Sequence, residues 1–157
     1  MSDQTPHFQK PGAAERLFGR ILAVLVRIGI VRGHFYVLEV RGRKSGKIIS
    51  LPVDPVDWEW RRFLVCARGE SHWVRNARAA GQVALVRAFR RRHYDVRELP
   101  ADERPPLLKA YLDRFSTEVQ RFFPVPKGSP VDAFEPFAGR YPVFELTPID
   151  SDLPKQP

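Results

Sequence analysis

The sequence lacks the residues and motifs on which several common catalytic sites depend. Its one cysteine, Cys66, cannot form an internal disulfide bond. The four histidines, His7, His34, His72 and His93, have no metal-ligand spacing, so we predict no metal site. There is no Gly-x-Ser-x-Gly elbow and no Gly-x-Gly-x-x-Gly fingerprint, which disfavours a serine hydrolase and a Rossmann-type dinucleotide site. Any redox chemistry would therefore need a bound cofactor.

Long apolar runs are also absent. No stretch is long enough to cross a bilayer, and the polar N-terminal residues do not resemble a signal peptide. Because a lone cysteine fits a reducing compartment, we expect a cytoplasmic protein. The length of 157 residues predicts one domain at 13–149, between flexible tails at 1–12 and 150–157.

Positive charge is abundant. The chain has 26 Lys and Arg against 18 Asp and Glu, and this excess favours an anionic partner: nucleic acid, an acidic membrane or an anionic cofactor. One arginine cluster with nearby aromatic rings is compatible with nucleic-acid binding, but a solvated hairpin tip is the better interpretation, so we predict no specific nucleic-acid partner. The cluster comprises Arg87, Arg90, Arg91 and Arg92, with Phe89 and Tyr94.

Short strand-like runs separated by turns predict a mainly β protein with flanking helices, arranged as a meander or a barrel. The first helix, at 13–31, carries arginines along one stripe. It either covers a sheet with its arginines in water or lies on the cytoplasmic face of an anionic membrane. The predicted strands are 35–40, 48–53, 63–67, 82–89, 93–98 and 143–146, and the other helices are 72–80 and 105–123.

The turn at 42–47, Gly-Arg-Lys-Ser-Gly-Lys, lies between the first two strands. Glycine permits close backbone approach, so we expect backbone N–H groups and cationic side chains to form a cup for a phosphate or carboxylate. A plain solvated turn is the alternative. The motif is not a Walker loop, because only three residues separate its glycines. Trp73 and Asn76 share a helix face, which suits either ligand contact or core packing.

Taken together, the turn, Leu51-Pro52-Val53 and the segment Arg68 to Gly81 resemble the deazaflavin (coenzyme F420)-dependent nitroreductase family of actinobacteria, as does the ending Arg140 to Pro148. The resemblance implies a split β-barrel of about six mostly antiparallel strands, similar to FMN-binding barrels. It also implies F420 as cofactor, with FMN as the alternative. The residues that would hold the cofactor are Arg43, Lys44, Ser45, Gly46, Lys47, Pro52, Val53, Arg68, Gly69, Trp73 and Asn76.

The expected activity is hydride transfer from the reduced deazaflavin to a small electron acceptor: a quinone, a nitro compound or an unsaturated carbonyl compound. Phe134 and Phe137 stand where the family has tyrosines, and phenylalanine cannot donate a hydrogen bond. Tyr141 and Tyr111 are the candidate catalytic proton donors. The alternative function is a non-catalytic barrel that binds a flavin, a deazaflavin or a lipid. The sequence does not indicate an oligomeric state.

Overall fold

The computed structural model describes residues 8–29 and 33–149. In this part of the chain, seven antiparallel strands form one curled sheet with flanking helices, which confirms the predicted split β-barrel. The strand count differs, because a three-residue strand follows Pro55. The strands are β1 (Tyr36–Arg41), β2 (Ile48–Val53), β3 (Val56–Trp58), β4 (Arg61–Val65), β5 (Gln82–Arg87), β6 (Arg90–Glu98) and β7 (Val143–Pro148), and the helices are α1 (Ala13–Arg27), α2 (His72–Ala80) and α3 (Pro105–Val119).

The sheet order is β2-β1-β5-β6-β7-β4-β3, so β2 and β3 are its two free edges. Alternation along the strands gives the sheet an inner apolar face, because successive side chains point to opposite sides. We call the cluster on this face the lumen cluster. It contains Leu38, Val40, Leu64, Cys66, Val74, Ala77, Val83, Leu85, Tyr94, Phe144 and Leu146.

Helix α2 contributes Val74 and Ala77 to the lumen cluster, at the end of the barrel where β1 finishes and β5 begins. Gly81 ends this helix with a φ of 70°, a left-handed conformation that favours glycine. The opposite end of the barrel, which we call the mouth, is where β1 begins and β5 ends.

A second apolar cluster, the outer cluster, lies between β4 and the C-terminal helices. The segment between residues 124 and 141 contains a 3-10 helix, Val131–Arg140, that buries Phe134 and Phe137 here. Helix α3 ends at Val119 rather than near 123, and a 3-10 turn follows at Gln120–Phe122. The fully or nearly buried members are Val56, Phe63, Val65, Ala67, Leu99, Leu107, Leu108, Tyr111, Leu112, Phe115, Val119, Phe123, Phe134, Phe137, Ala138, Tyr141 and Val143.

Helix α1 packs on the outside of β1 and β5 through Ala23 and Val26. The buried carboxylate of Glu39 accepts hydrogen bonds from Arg27 of α1 and from Arg91 of β6, the latter at 2.8 and 3.1 Å. The helix ends earlier than predicted, at Arg27, and residues 30 and 31 of the predicted helix lie outside the described residues.

The β5–β6 hairpin also holds the C-terminal end of α1. Its two turn residues, Ala88 and Phe89, have φ values of 48° and 63°, the conformation of a two-residue hairpin loop. Their backbone N–H groups donate to the carbonyl oxygens of Val26 and Arg27 at 3.3 and 2.9 Å. The arginine cluster is thus a hairpin with its tip against α1.

Most of the two predicted tails, residues 1–7 and 150–157, lies outside the described residues. Phe8 forms a β-bridge with Gly69, and the Gln9 N–H donates to the Arg68 carbonyl at 3.0 Å, so this part of the first tail is attached to the domain. No helix within 8–29 and 33–149 is long and apolar enough to span a membrane.

Candidate functional site

The turn at 42–47 is tightly closed by its own backbone. The Gly42 N–H donates to the Lys47 carbonyl at 2.7 Å, and the Gly46 N–H donates to the Gly42 carbonyl at 2.9 Å. A Cβ at position 42 would lie 2.6 Å from Ser45 Oγ and 3.2 Å from the Lys47 carbonyl, so only glycine fits without displacement. Gly46 has a φ of 69°. Both glycines are therefore needed for this turn.

Four of the six backbone N–H groups of the turn already make hydrogen bonds within the fold. The N–H groups of Gly42 and Gly46 bond inside the turn, the Lys47 N–H donates to Ser45 Oγ at 3.2 Å, and the Arg43 N–H donates to α2. Because these four N–H groups are hydrogen-bonded within the fold, they are not available to a ligand. An anion at this turn would instead meet the exposed side chains of Lys44 and Lys47.

Asn76 joins the turn to α2. Its side chain is buried, and its Oδ1 accepts two hydrogen bonds from Arg43, one from the backbone N–H at 3.2 Å and one from the guanidinium at 2.8 Å. A buried amide oxygen with two donors fixes the position of its partner, because leaving it unpaired would cost roughly 1–3 kcal/mol. The structure thus brings together Arg43 to Lys47 with Asn76.

Val53 and Trp73 lie on different elements, and Val53 pairs with Tyr36 at the mouth of the barrel. Both are half-buried against the lumen cluster, and the Trp73 ring lies 5.7 Å from the ring of Phe144. Pro52 points the other way, because neighbouring side chains of a strand alternate. Its Cγ would lie 3.7 Å from a Cβ added to Gly19 of α1. Pro52 therefore faces α1, whereas Val53 faces the lumen.

Arg68 and Gly69 lie beside the N-terminal segment. Arg68 donates to the Gln9 carbonyl at 3.2 Å and lies 3.4 Å from the carboxylate of Glu15. Its guanidinium is 4.8 Å from the ring centre of Phe122. These contacts occupy Arg68, and none of them joins it to the turn.

The two candidate proton donors belong to the outer cluster. The Tyr141 hydroxyl donates to the Phe122 carbonyl at 2.5 Å, and its ring stacks on Phe123 at 4.7 Å. Burial raises the pKa of Tyr111 far above its ordinary value and also raises the pKa of Tyr141. No described contact joins either tyrosine to the turn or to Asn76, so their catalytic role stays a prediction from the sequence.

Two cavities open at the mouth of the barrel, and neither is lined by the predicted cofactor residues. The larger has a volume of about 770 Å³ and includes Arg92 and Tyr94 from β6. The smaller, which we call the mouth cavity, has a volume of about 390 Å³. Its lining residues are Gly33, His34, Tyr36, Pro55, Asp57, Arg62, Arg87 and Arg114.

Beside the mouth cavity lies a half-buried pair, His34 and Asp54. Their Nε2 and Oδ1 atoms are 3.2 Å apart, within ion-pair distance, but their orientation makes no hydrogen bond, and both atoms are buried. Burial, with a smaller contribution from Glu118, raises the pKa of Asp54 to about 7. Sequence analysis did not single out this pair. The antiparallel pairing of β1 with β2 could have indicated it. This pairing places Tyr36 opposite Val53, and so brings His34 and Asp54, which flank the paired residues, close together.

No family model matches the chain, and no curated protein matches it. Several solved structures, however, match the chain. One, a domain-swapped dimer, has 18% identity and a TM-score of 0.53 and covers 85% of this chain and 96% of its own. An F420-H2-dependent reductase has 21% identity and a TM-score of 0.49, with coverages of 73% and 94%. A NimC/NimA family protein from Clostridium acetobutylicum has 13% identity and a TM-score of 0.50, with coverages of 90% and 84%. Likeness at such identities establishes the fold alone.

Proposed function

We propose that this split β-barrel is a deazaflavin-dependent oxidoreductase that uses coenzyme F420. The observation that carries the proposal is the fixed position of the cationic turn. Buried Asn76 holds Arg43, and the exposed ammonium groups of Lys44 and Lys47 extend from the same turn. The sequence around these residues resembles the F420-dependent family, and the split-barrel fold is compatible with it.

The chemistry of these residues fits the cofactor. The phosphate and glutamate carboxylates of F420 would pair with Lys44 and Lys47, because charge-assisted hydrogen bonds to carboxylate or phosphate are about twice as strong as neutral ones. Ser45 would add a hydroxyl. Val53 and Trp73 offer half-buried apolar surface for a flat ring. When bound in its reduced form, the deazaflavin supplies a hydride from C5.

The residues of the chain would bind and orient the two reactants and exclude water from them. The acceptor we propose is electron-poor: a quinone, a nitro compound or an unsaturated carbonyl compound. The buried aromatic residues Phe134 and Phe137 provide no proton. We therefore propose that the proton that completes reduction of the acceptor comes from solvent or from one of the predicted donors, Tyr141 and Tyr111. Replacing each tyrosine with phenylalanine distinguishes these sources.

The test is a fluorescence titration with F420 on the double variant Lys44→Ala with Lys47→Ala. Neither ammonium group has a hydrogen-bond or ion-pair partner among the described residues, so the variant changes exposed charge and leaves the bond between Arg43 and Asn76 intact. We expect F420 affinity to fall at least tenfold, since two charge-assisted contacts of roughly 1.5–3 kcal/mol are lost.

The matched control is Arg90→Ala with Lys127→Ala, which removes the same charge from exposed positions outside the site. Affinity that falls equally in both variants would indicate long-range screening and contradict the anchoring role. F420 binding without oxidation of F420H2 by any acceptor in a quinone, nitro and enone panel would favour the alternative, a non-catalytic binding barrel.

We also propose that α1 contacts an anionic membrane surface. Its outward face carries large apolar side chains at helical spacing: Leu17, Ile21 and Val24 are 61%, 52% and 58% exposed. Arg16 and Arg20 are exposed on the same helix. An apolar stripe with neighbouring cations suits an interfacial helix, because burial of the apolar side chains and attraction of the cations to anionic lipid both strengthen membrane binding. We therefore commit to a membrane rather than a second copy of this strongly cationic chain.

A further inference from the structure

The mouth cavity carries an unusual concentration of positive charge. Three guanidinium groups line it, from Arg62, Arg87 and Arg114, against one lining carboxylate, Asp57. That carboxylate is already engaged, because Arg62 donates to its two oxygens at 2.7 and 3.0 Å. Among the described residues, Arg87 and Arg114 have no carboxylate within ion-pair distance. Arg87 and Arg114 thus share this cavity without an ion pair of their own, although the charge of Arg114 acts on Asp57 from beyond ion-pair distance and helps to lower the pKa of that carboxyl.

The strand pattern explains how the arginines reach the cavity. Arg87 follows Leu85 by two positions on β5, and Arg62 precedes Leu64 by two on β4, so both arginines continue the lumen face of their strands. At the mouth they meet around the ring of Tyr36. The guanidinium carbons of Arg62 and Arg87 lie 5.2 and 5.4 Å from its centre.

Aromatic contacts hold these cations in place. Besides the two guanidinium groups over Tyr36, Arg114 of α3 lies 5.5 Å from the ring centre of Phe115. Such cation–π contacts position a guanidinium but do not neutralise it. Like charges brought together without a counter-ion repel, so a bound anion would relieve the repulsion.

We propose that the mouth cavity is a binding site for a small oxyanion, a carboxylate or a phosphate, held between Arg87 and Arg114. Guanidinium groups match the planar geometry of carboxylates and phosphates, with two parallel N–H donors each. A volume of about 390 Å³ lies within the range of small-ligand sites. This site is separate from the turn at 42–47.

The histidine of the half-buried pair beside the cavity supports the assignment. His34 lines the cavity, and its Nε2 and the Oδ1 of Asp54 make no hydrogen bond within 8–29 and 33–149. Buried polar atoms are nearly always satisfied by protein, water or ligand. A bound oxyanion could accept a hydrogen bond from a protonated Nε2 of His34, whereas the Oδ1 of Asp54 is itself an acceptor and would need a donor such as ordered water.

The test is isothermal titration calorimetry with two probes, inorganic phosphate and succinate, at constant ionic strength set with chloride. We expect one or both probes to bind, and their relative affinities decide between phosphate and carboxylate. Arg87→Gln and Arg114→Gln should each weaken that binding about tenfold, because each removes one charge-assisted contact. The matched control is Arg90→Gln, on the same hairpin as Arg87 but outside both cavities.

Binding of neither probe would overturn the proposal, and so would an equal loss in Arg90→Gln, which would indicate non-specific charge. Circular dichroism checks the fold of each variant. Because Arg87 and Arg114 lie on different elements, either variant tests the proposal by itself if the other variant misfolds. F420 titrations of the same variants distinguish this site from the proposed cofactor site, because the F420 affinity should not change.

Discussion

Replacing Asp54 with asparagine should stabilise the protein, and the gain should grow as the pH rises. Burial raises the pKa of Asp54 from 3.8 to about 7. A carboxyl group whose pKa is raised by folding costs no stability below its unfolded pKa and progressively more as the pH approaches the folded one. At 1.36 kcal/mol per pH unit, the full difference is at most about 4 kcal/mol above pH 7. Asparagine is nearly isosteric and carries no such cost.

Urea denaturation at pH 4, 5.5, 7 and 8 measures this difference. We expect the variant and the wild type to be about equally stable at pH 4 and to diverge as the pH rises. Asp57→Asn is a control of opposite sign, because the hydrogen bond from Arg62 lowers the pKa of Asp57, and this stabilisation is lost as the pH falls. A constant or shrinking gain for Asp54→Asn would refute the reasoning, because it would show that folding does not raise the pKa of Asp54.

Two further predictions concern the turn and α1. Gly42→Ala should displace the Ser45 hydroxyl, lower the free energy of unfolding by about 1 kcal/mol or more and weaken F420 binding. Denaturation and titration measure both effects, Gly139→Ala is the control, and unchanged affinity would contradict the proposed site. Leu17→Ser with Ile21→Ser should reduce co-sedimentation with vesicles of phosphatidylserine and phosphatidylcholine about tenfold or more, because two exposed apolar side chains are lost. Equal sedimentation of both proteins, or a dimer that the substitutions dissociate, would contradict the membrane contact.

Local patterns predicted the regular elements well. Helix α2 begins at His72 and ends at Ala80 as expected, since Gly81 supplies the left-handed residue that ends it. Strand β2, Ile48–Val53, also matches, because a glycine turn and Pro55 bound its apolar run. Strand β3 was missed, because three residues are too few for alternation to identify.

The site was harder to predict because long-range packing assembles it. The sequence identified the turn and Asn76 separately, but the hydrogen bonds from Arg43 to Asn76 depend on how α2 packs on the barrel. The mouth cavity joins Arg87 with Arg114 of α3, two residues from distant parts of the chain. Alternation would have placed Arg87 on the inner face, but nothing local indicates that α3 brings a second arginine to it.

The hydrogen bonds from Ala88 and Phe89 to the last carbonyl groups of α1 bear on how this helix would meet a lipid surface. A helix anchored by its peptide groups to a hairpin cannot detach and insert alone without breaking that linkage. The whole barrel would therefore be oriented by the contact, with α1 flat against the headgroups. Because Arg87 is the residue next to this hairpin turn, a tilt of α1 would also move Arg87 at the mouth of the barrel.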